Sequence, residues 1–156
     1  MGKESNIRQR LKTLFTSQRL AVLATHNSGQ PYGSLVSFAA TDDLKEILFA
    51  TTRETRKYVN LSADARVAMV IDSRSNKESD IHDAIAVTAT GRAEETVPPE
   101  KEQFARMYLE KHPYLREFVS SPSCALLRVK VETYYFVSKF EEVVALHAKD
   151  GFNHEP

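Results

Sequence analysis

The sequence has little from which to build a covalent or metal-held framework. It contains one cysteine, Cys124, so no internal disulfide can form, and a lone thiol suits a reducing compartment. The five histidines, at positions 26, 82, 112, 147 and 154, are scattered, and no pair at i, i+4 has a third ligand nearby, so no metal site is expected. Formal net charge is zero, which leaves nothing at whole-chain level to attract nucleic acid or an anionic membrane. No apolar run is long enough to span a bilayer, and residues 1–6 lack the apolar stretch of a secretion signal, so the expected location is the cytoplasm. Neither a Gly-x-Gly-x-x-Gly element nor a P-loop lysine motif occurs, which argues against dinucleotide or triphosphate binding of those kinds. Any anion site must be local.

What is present fits one domain spanning residues 1–156. An apolar fraction of 42% and a charged fraction of 27% are ordinary for a chain able to close a hydrophobic core. Residues 5–17 carry Ile7, Leu11, Leu14 and Phe15 at helical spacing, with Ser5 as N-cap. Short strands are expected at 19–25, 32–39, 46–51 and 66–72, the first buried on both faces. Asn27 to Pro31 reads as a turn and residues 73–83 as a polar, mobile loop. A strand at 84–95 precedes a helix opened by Pro98, with Phe104, Met107 and Tyr108 facing inward. Pro113 breaks that helix, and a shorter piece runs to Ser120. In the strand at 125–137, Leu127, Val129 and Val131 alternate with Arg128, Lys130 and Glu132. A bend at 139–142, a last strand at 143–146 and a frayed tail over 148–156 complete the chain. Tight turns between consecutive strands imply antiparallel pairing. Six or seven strands with two or three helices then imply a mainly β fold, a small barrel with helices packed outside.

The stretch from Phe49 to Leu61 bears most directly on function. A strand ends in Thr51 and Thr52, and a helix at 53–63 begins among Arg53, Arg56 and Lys57, offset only by Glu54. The N-terminal end of a helix carries partial positive charge, and a cation there costs roughly 0.3–1 kcal/mol. A bound anion reverses that balance, because free amides, threonine hydroxyls and basic side chains then converge on one phosphate. The plainer alternative is a solvated helix whose long side chains curl away from the dipole.

Other candidates are weaker. Gly33 permits close approach of a flat ligand to the strand carrying Ser34, Leu35, Val36 and Ser37, whose two hydroxyls point to opposite faces; an ordinary strand would look the same. Glu141 and Glu142 are adjacent on a bend and point apart into water, unlike a catalytic carboxylate pair. Cys124 has no neighbouring base and reads as a buried, inert thiol. His147 and His154 are surface histidines or, alternatively, axial ligands to a haem. No residue stands out as a general acid or base.

Three ordered segments together resemble the flavin-binding split-barrel proteins related to pyridoxamine 5′-phosphate oxidase. They are Gly29 to Phe38, Ile47 to Leu61, and Asp64 to Ile71, within a likeness covering roughly residues 12–137. The resemblance implies FMN, or a deazaflavin in its place. Thr51, Thr55, Arg56 and Lys57 would meet the phosphate, with Thr52 and Arg53 beside them. Ser34, Leu35, Val36 and Ser37 would run along the ring. Ser34 stands where the family's usual arginine would be. It also implies a homodimer with the cofactor at the subunit interface, residues 84–90 and 134–140 facing the partner, and a small-molecule substrate. The oxidase's C-terminal Arg-x-His element is absent, so vitamin B6 oxidation is not implied. The aromatic ending from Tyr134 to Glu142 is similar to that of haem-utilising relatives. Three functions follow: a small FMN-dependent oxidoreductase, a haem-binding or haem-degrading protein, and a non-catalytic flavin-binding stress or sensor module.

Overall fold

In the computed structural model, which describes residues 2–138 and 142–148, seven strands form one antiparallel sheet. They are β1 (Leu20–Asn27), β2 (Gln30–Ala40), β3 (Glu46–Thr52), β4 (Arg66–Asp72), β5 (Ala86–Glu95), β6 (Cys124–Ser138) and β7 (Glu142–His147). Their order is β3-β2-β1-β4-β5-β6-β7, and β3 also pairs with β6, so six strands close on themselves and β7 is left outside the ring. Strand β6 makes this possible by its length. Its first half, from Cys124 to Lys130, pairs with β3; its second half, from Thr133 to Ser138, pairs with β7. This is the mainly β split barrel that the sequence implies.

The helices are α1 (Gly2–Ser17), α2 (Arg56–Ala63), α3 (Asp80–Asp83), α4 (Glu100–Lys111) and α5 (Arg116–Ser120), with a 3-10 turn at Pro113–Leu115 between the last two. Helix α1 sends Ile7, Leu11, Leu14 and Phe15 into the main core beside Leu23, Phe38, Phe49, Met69, Ile71 and Leu127. There the Phe15 ring meets Phe38 edge-on at 5.9 Å and Tyr134 at 5.8 Å. A second cluster lies outside the barrel, where Tyr108 of α4 packs on Ala39, Leu48 and Leu126, with Phe104, Met107, Leu115 and Val119 around it. The inward face expected for α4 is this one.

Four sequence expectations need correction. Helix α1 begins at Gly2, so Ser5 lies inside it and does not cap it. Helix α2 begins at Arg56 because Thr55 is its N-cap, which leaves Arg53 in the preceding turn. Strand β1 alternates buried with half-buried or exposed residues, so it is buried on one face only. Within the polar segment 73–83, the Asp80 carboxylate accepts the backbone amides of Ser75, Asn76 and Lys77 and folds one helical turn, α3.

Strands β5 and β6 slip by one residue at Thr90/Gly91: Thr90 lies opposite Thr133 and Gly91 opposite Val131, which leaves Glu132 as the extra residue of a bulge. The backbones approach so closely there that a Cβ on Gly91 would sit 2.2 Å from the Lys130 carbonyl oxygen. Replacing Gly91 by Ala is expected to cost about 3 kcal/mol through this overlap. Chemical denaturation of the variant against the wild type measures it.

Candidate functional site

Outside the barrel, between the start of α2 and the turn that links α4 to α5, lies a cleft of about 250 Å³. One wall is the outer edge of β2 at Leu35, Val36 and Ser37; the floor is the end of β3 at Ala50, Thr51 and Thr52. Thr55 and Lys57 stand at one end, and Tyr108, Leu115 and Phe118 at the other. No carboxylate lines it.

The polar end is organised by β3 running directly into a helix cap. Thr55 holds an extended backbone, and its hydroxyl oxygen accepts the Tyr58 amide at 3.3 Å. The Thr51 and Thr55 hydroxyl oxygens are 2.7 Å apart. The Val59 amide is taken by the Thr55 carbonyl, whereas those of Arg56 and Lys57 have no partner among the described residues. Among the described residues neither Lys57 nor Arg56 forms an ion pair; the Arg56 guanidinium lies 5.6 Å from the centre of the Tyr32 ring. Both hydroxyls donate to the Thr52 carbonyl at 3.1 Å, so the free donors at this end of the cleft are the two helix-start amides and the Lys57 ammonium, a set able to hold an anion.

Arg53 is committed elsewhere. Its guanidinium donates to both oxygens of Glu95 and, at 2.9 Å, to the Pro122 carbonyl. The Tyr58 hydroxyl donates to the same carboxylate at 2.7 Å. The Arg53 hydrogen bonds, followed by that of Tyr58, hold the Glu95 carboxyl below its usual range against the opposing effect of burial. Arg53 therefore ties the turn before α2 to the ends of β5 and α5, and it does not line the cleft. Ser34 does not line it either. Alternation along β2 turns it away from Leu35 and Ser37, and its buried hydroxyl has no hydrogen-bond partner among the described residues.

A family model, pyridoxamine 5′-phosphate oxidase, matches residues 7–138. The chain belongs to the pyridoxamine 5′-phosphate oxidase family. No functionally curated protein matches it. Among solved structures, it is similar to a haem-binding protein from Mycobacterium smegmatis, with a TM-score of 0.82 and 16% identity over 93% of this chain and 59% of that one. It is also similar to General Stress Protein 26 from Bacillus anthracis (TM-score 0.68, 18% identity, 91% and 98% covered). A third is an FAD-binding protein from Mesorhizobium loti (TM-score 0.64, 18% identity, 81% and 90% covered). At these identities the likeness concerns the fold. The chain spans less than two thirds of the haem-binding protein's length.

Of the family-type site residues expected from sequence, the fold gathers Leu35, Val36, Ser37, Thr51, Thr52, Thr55 and Lys57 around one cleft. Arg56 stands beside it over Tyr32, and Ser34 and Arg53 point away. Ala50, Tyr108, Leu115 and Phe118 complete the lining although nothing in their local sequence marks them as site residues; only the inward-facing spacing of Tyr108 on α4 gives a hint. His147 lies on β7, away from the cleft-lining strands, and its Nδ1 is 3.0 Å from the Thr133 hydroxyl. His154 and Glu141 lie outside the described residues. Cys124 is buried, and burial raises its thiol pKa, as expected of an inert thiol. Among the described residues no cluster of His, Cys, Asp and Glu could hold a metal ion, and no helix is long and apolar enough to cross a membrane.

The wall bearing Tyr108 is fixed by buried polar contacts. The Tyr108 hydroxyl donates to the Ser37 carbonyl at 3.0 Å, and burial pushes its phenol above the usual range. His112, fully buried, has Nε2 at 2.8 Å from the Phe38 carbonyl and Nδ1 at 3.2 Å from the Tyr114 hydroxyl. The Lys111 ammonium donates to the Phe15 carbonyl at 2.7 Å, and burial lowers its pKa to about 8. Burial likewise lowers the His112 pKa, with Lys111 and Arg19 adding to the effect and the Phe38 contact opposing it. Because the folded pKa lies below the unfolded one, His112 contributes full stability above about pH 6.5 and loses it as the pH falls. Denaturation midpoints should therefore drop between pH 7.5 and pH 5.5, and His112→Gln should show a smaller drop over that interval.

Proposed function

We propose that this protein binds FMN in the cleft, as a homodimer, and serves as a small oxidoreductase. The observation that carries the proposal is the convergence of the Lys57 ammonium and the free Arg56 and Lys57 amides, beside Thr51 and Thr55, at the end of a cleft without carboxylates. A terminal phosphate monoester matches that donor set, with Arg56 adding charge from the side. A flat ring would extend along Leu35, Val36 and Ser37 toward Phe118, where main-chain groups of β2 can read its polar edge. Leu35 is 65% exposed, and a ring laid on it would cover that apolar surface.

Bound flavin would supply the redox chemistry. Of the residues lining the cleft only Lys57 and Tyr108 carry an ionisable side chain, and the Tyr108 hydroxyl is engaged and held protonated by burial. This chain's part is to bind, orient and shield the ring. Arg56→Ala combined with Lys57→Ala should lower FMN affinity about 100-fold, as expected for two charge-assisted contacts, with little change in melting temperature. A fluorescence titration with FMN reads the affinity, and an unchanged value in the double variant would remove the phosphate assignment.

The case for a homodimer rests on the outer face of the sheet. Cross-strand register places Leu35, Val22, Val70, Thr88, Tyr135 and Ala145 in one row across six strands. Each of these side chains is exposed or half-buried, and all but Thr88 and the Tyr135 hydroxyl are apolar. The row begins at the cleft wall, so a second copy seated on it would also reach the cofactor site. Val70→Glu places a charge at its centre and should yield a monomer in analytical ultracentrifugation, with weakened FMN binding. A variant that remains dimeric would place the interface elsewhere.

A further inference from the structure

Helix α1 carries four cations, Lys3, Arg8, Arg10 and Lys12, against the single carboxylate of Glu4, in a chain whose formal net charge is zero. Arg10 is accounted for, its guanidinium resting 4.7 Å from the centre of the Phe136 ring. Arg8 is not. It is only 9% exposed, its Nε is buried without a hydrogen-bond partner, and among the described residues no carboxylate pairs with it. A guanidinium cannot shed its proton to escape this situation. Burying a charge without an anion is unfavourable by several kcal/mol, so an unpaired arginine at this depth signals a missing counter-charge.

Beside it is a hollow of about 360 Å³ lined by Gly2, Ser5, Asn6, Arg8, Gln9 and Lys12. Every polar side chain in that lining can donate a hydrogen bond, and none is acidic. Lys12 lies one helical turn from Arg8, so the two cations face the same side. We propose that this hollow is a second anion site, in which the planar fork of Arg8 and the ammonium of Lys12 hold a phosphate group, with Ser5, Asn6 and Gln9 completing its hydrogen bonds. Its lining shares no residue with the cleft, and it stands whether or not the cleft takes FMN.

The test is calorimetric titration with inorganic phosphate at constant ionic strength, in the Arg56→Ala/Lys57→Ala background, which removes the cleft's two cations. Saturable binding is expected there. Adding Arg8→Met should weaken it at least tenfold, and adding Lys12→Met, on the more exposed of the two cations, should weaken it as well. In phosphate-free buffer Arg8→Met should be as stable as the parent, because it replaces an uncompensated cation with an apolar chain of similar length. Absence of saturable binding, equal affinity after Arg8→Met, or a large loss of stability in that variant without phosphate would each overturn the proposal, the last by showing that the guanidinium is satisfied within the chain.

Discussion

Everything that positions the cleft depends on β6 serving two neighbours along one edge. A strand offers each edge only one set of hydrogen bonds, so β3 and β7 cannot both run the full length of β6. The chain divides it: residues up to Lys130 close the barrel with β3, and residues from Thr133 serve β7. The bulge at Glu132, opposite Gly91, falls at this division and lets the strand bend there. Closure fixes Thr51 and Thr52 against Ala125 and Cys124, and the chain must then leave the barrel within a few residues. Thr55 caps the exit, so the start of α2 stands beside the outer edge of β2 and not over the barrel's core. The end of the cleft where the Arg56 and Lys57 amides lie free follows from that geometry.

Charge placement around this exit separates two roles that look alike in sequence. Arg53, Arg56 and Lys57 are three cations within five residues, and all three seem to crowd one helix end. In the fold only two belong to the helix. Arg53 has a partly exposed guanidinium locked between a carboxylate and a carbonyl, a geometry that fixes the turn and spends its donors. Arg56 and Lys57 have no such partners, and the unfavourable field of the helix dipole acts on them undiminished. Among the described residues neither cation has a carboxylate partner, and an anionic ligand would turn the same arrangement into a favourable one.

Much of this was legible in the sequence because it is local. The order of strands and helices follows from periodicity and turn residues, and the threonine-to-basic junction at 51–57 stands out within one short window. Residues 125–137 show their half-buried alternation plainly. Non-local facts were not legible. Nothing near Glu95 announces that it will capture Arg53 from 42 residues away, so Arg53 reads as a ligand until the fold is known. Leu115 and Phe118 become cleft residues only because α4 packs Tyr108 onto Leu48 and brings the following turn back across β2. Ser5 looked like a cap because Ser is a good one, but the three residues before it also accept helical geometry, and nothing there stops the helix earlier. The loop at 73–83 appeared structureless because its organising contacts are one aspartate to three amides, a pattern that hydrophobic periodicity does not record.

In the proposed dimer, the outer sheet face would link assembly to the cleft. Leu35 is shared: it is a cleft-wall residue and the first member of the apolar row that runs through Val22 and Val70 to Tyr135. A ligand ring laid against Leu35 and a second subunit laid against the row would cover adjoining surface, and each would shield the other's edge from water. Binding and association would then be thermodynamically coupled, since whatever stabilises one raises the population competent for the other. Small side chains in the row, Ala145 and Thr88 among them, keep the face flat enough for two sheets to meet closely. The helices stay on the remaining flanks, where α4 and α5 cover β2, β3 and β6 near Tyr108. That division of the barrel's exterior, helices on one side and a bare apolar row on the other, is what a ligand site completed by a partner requires.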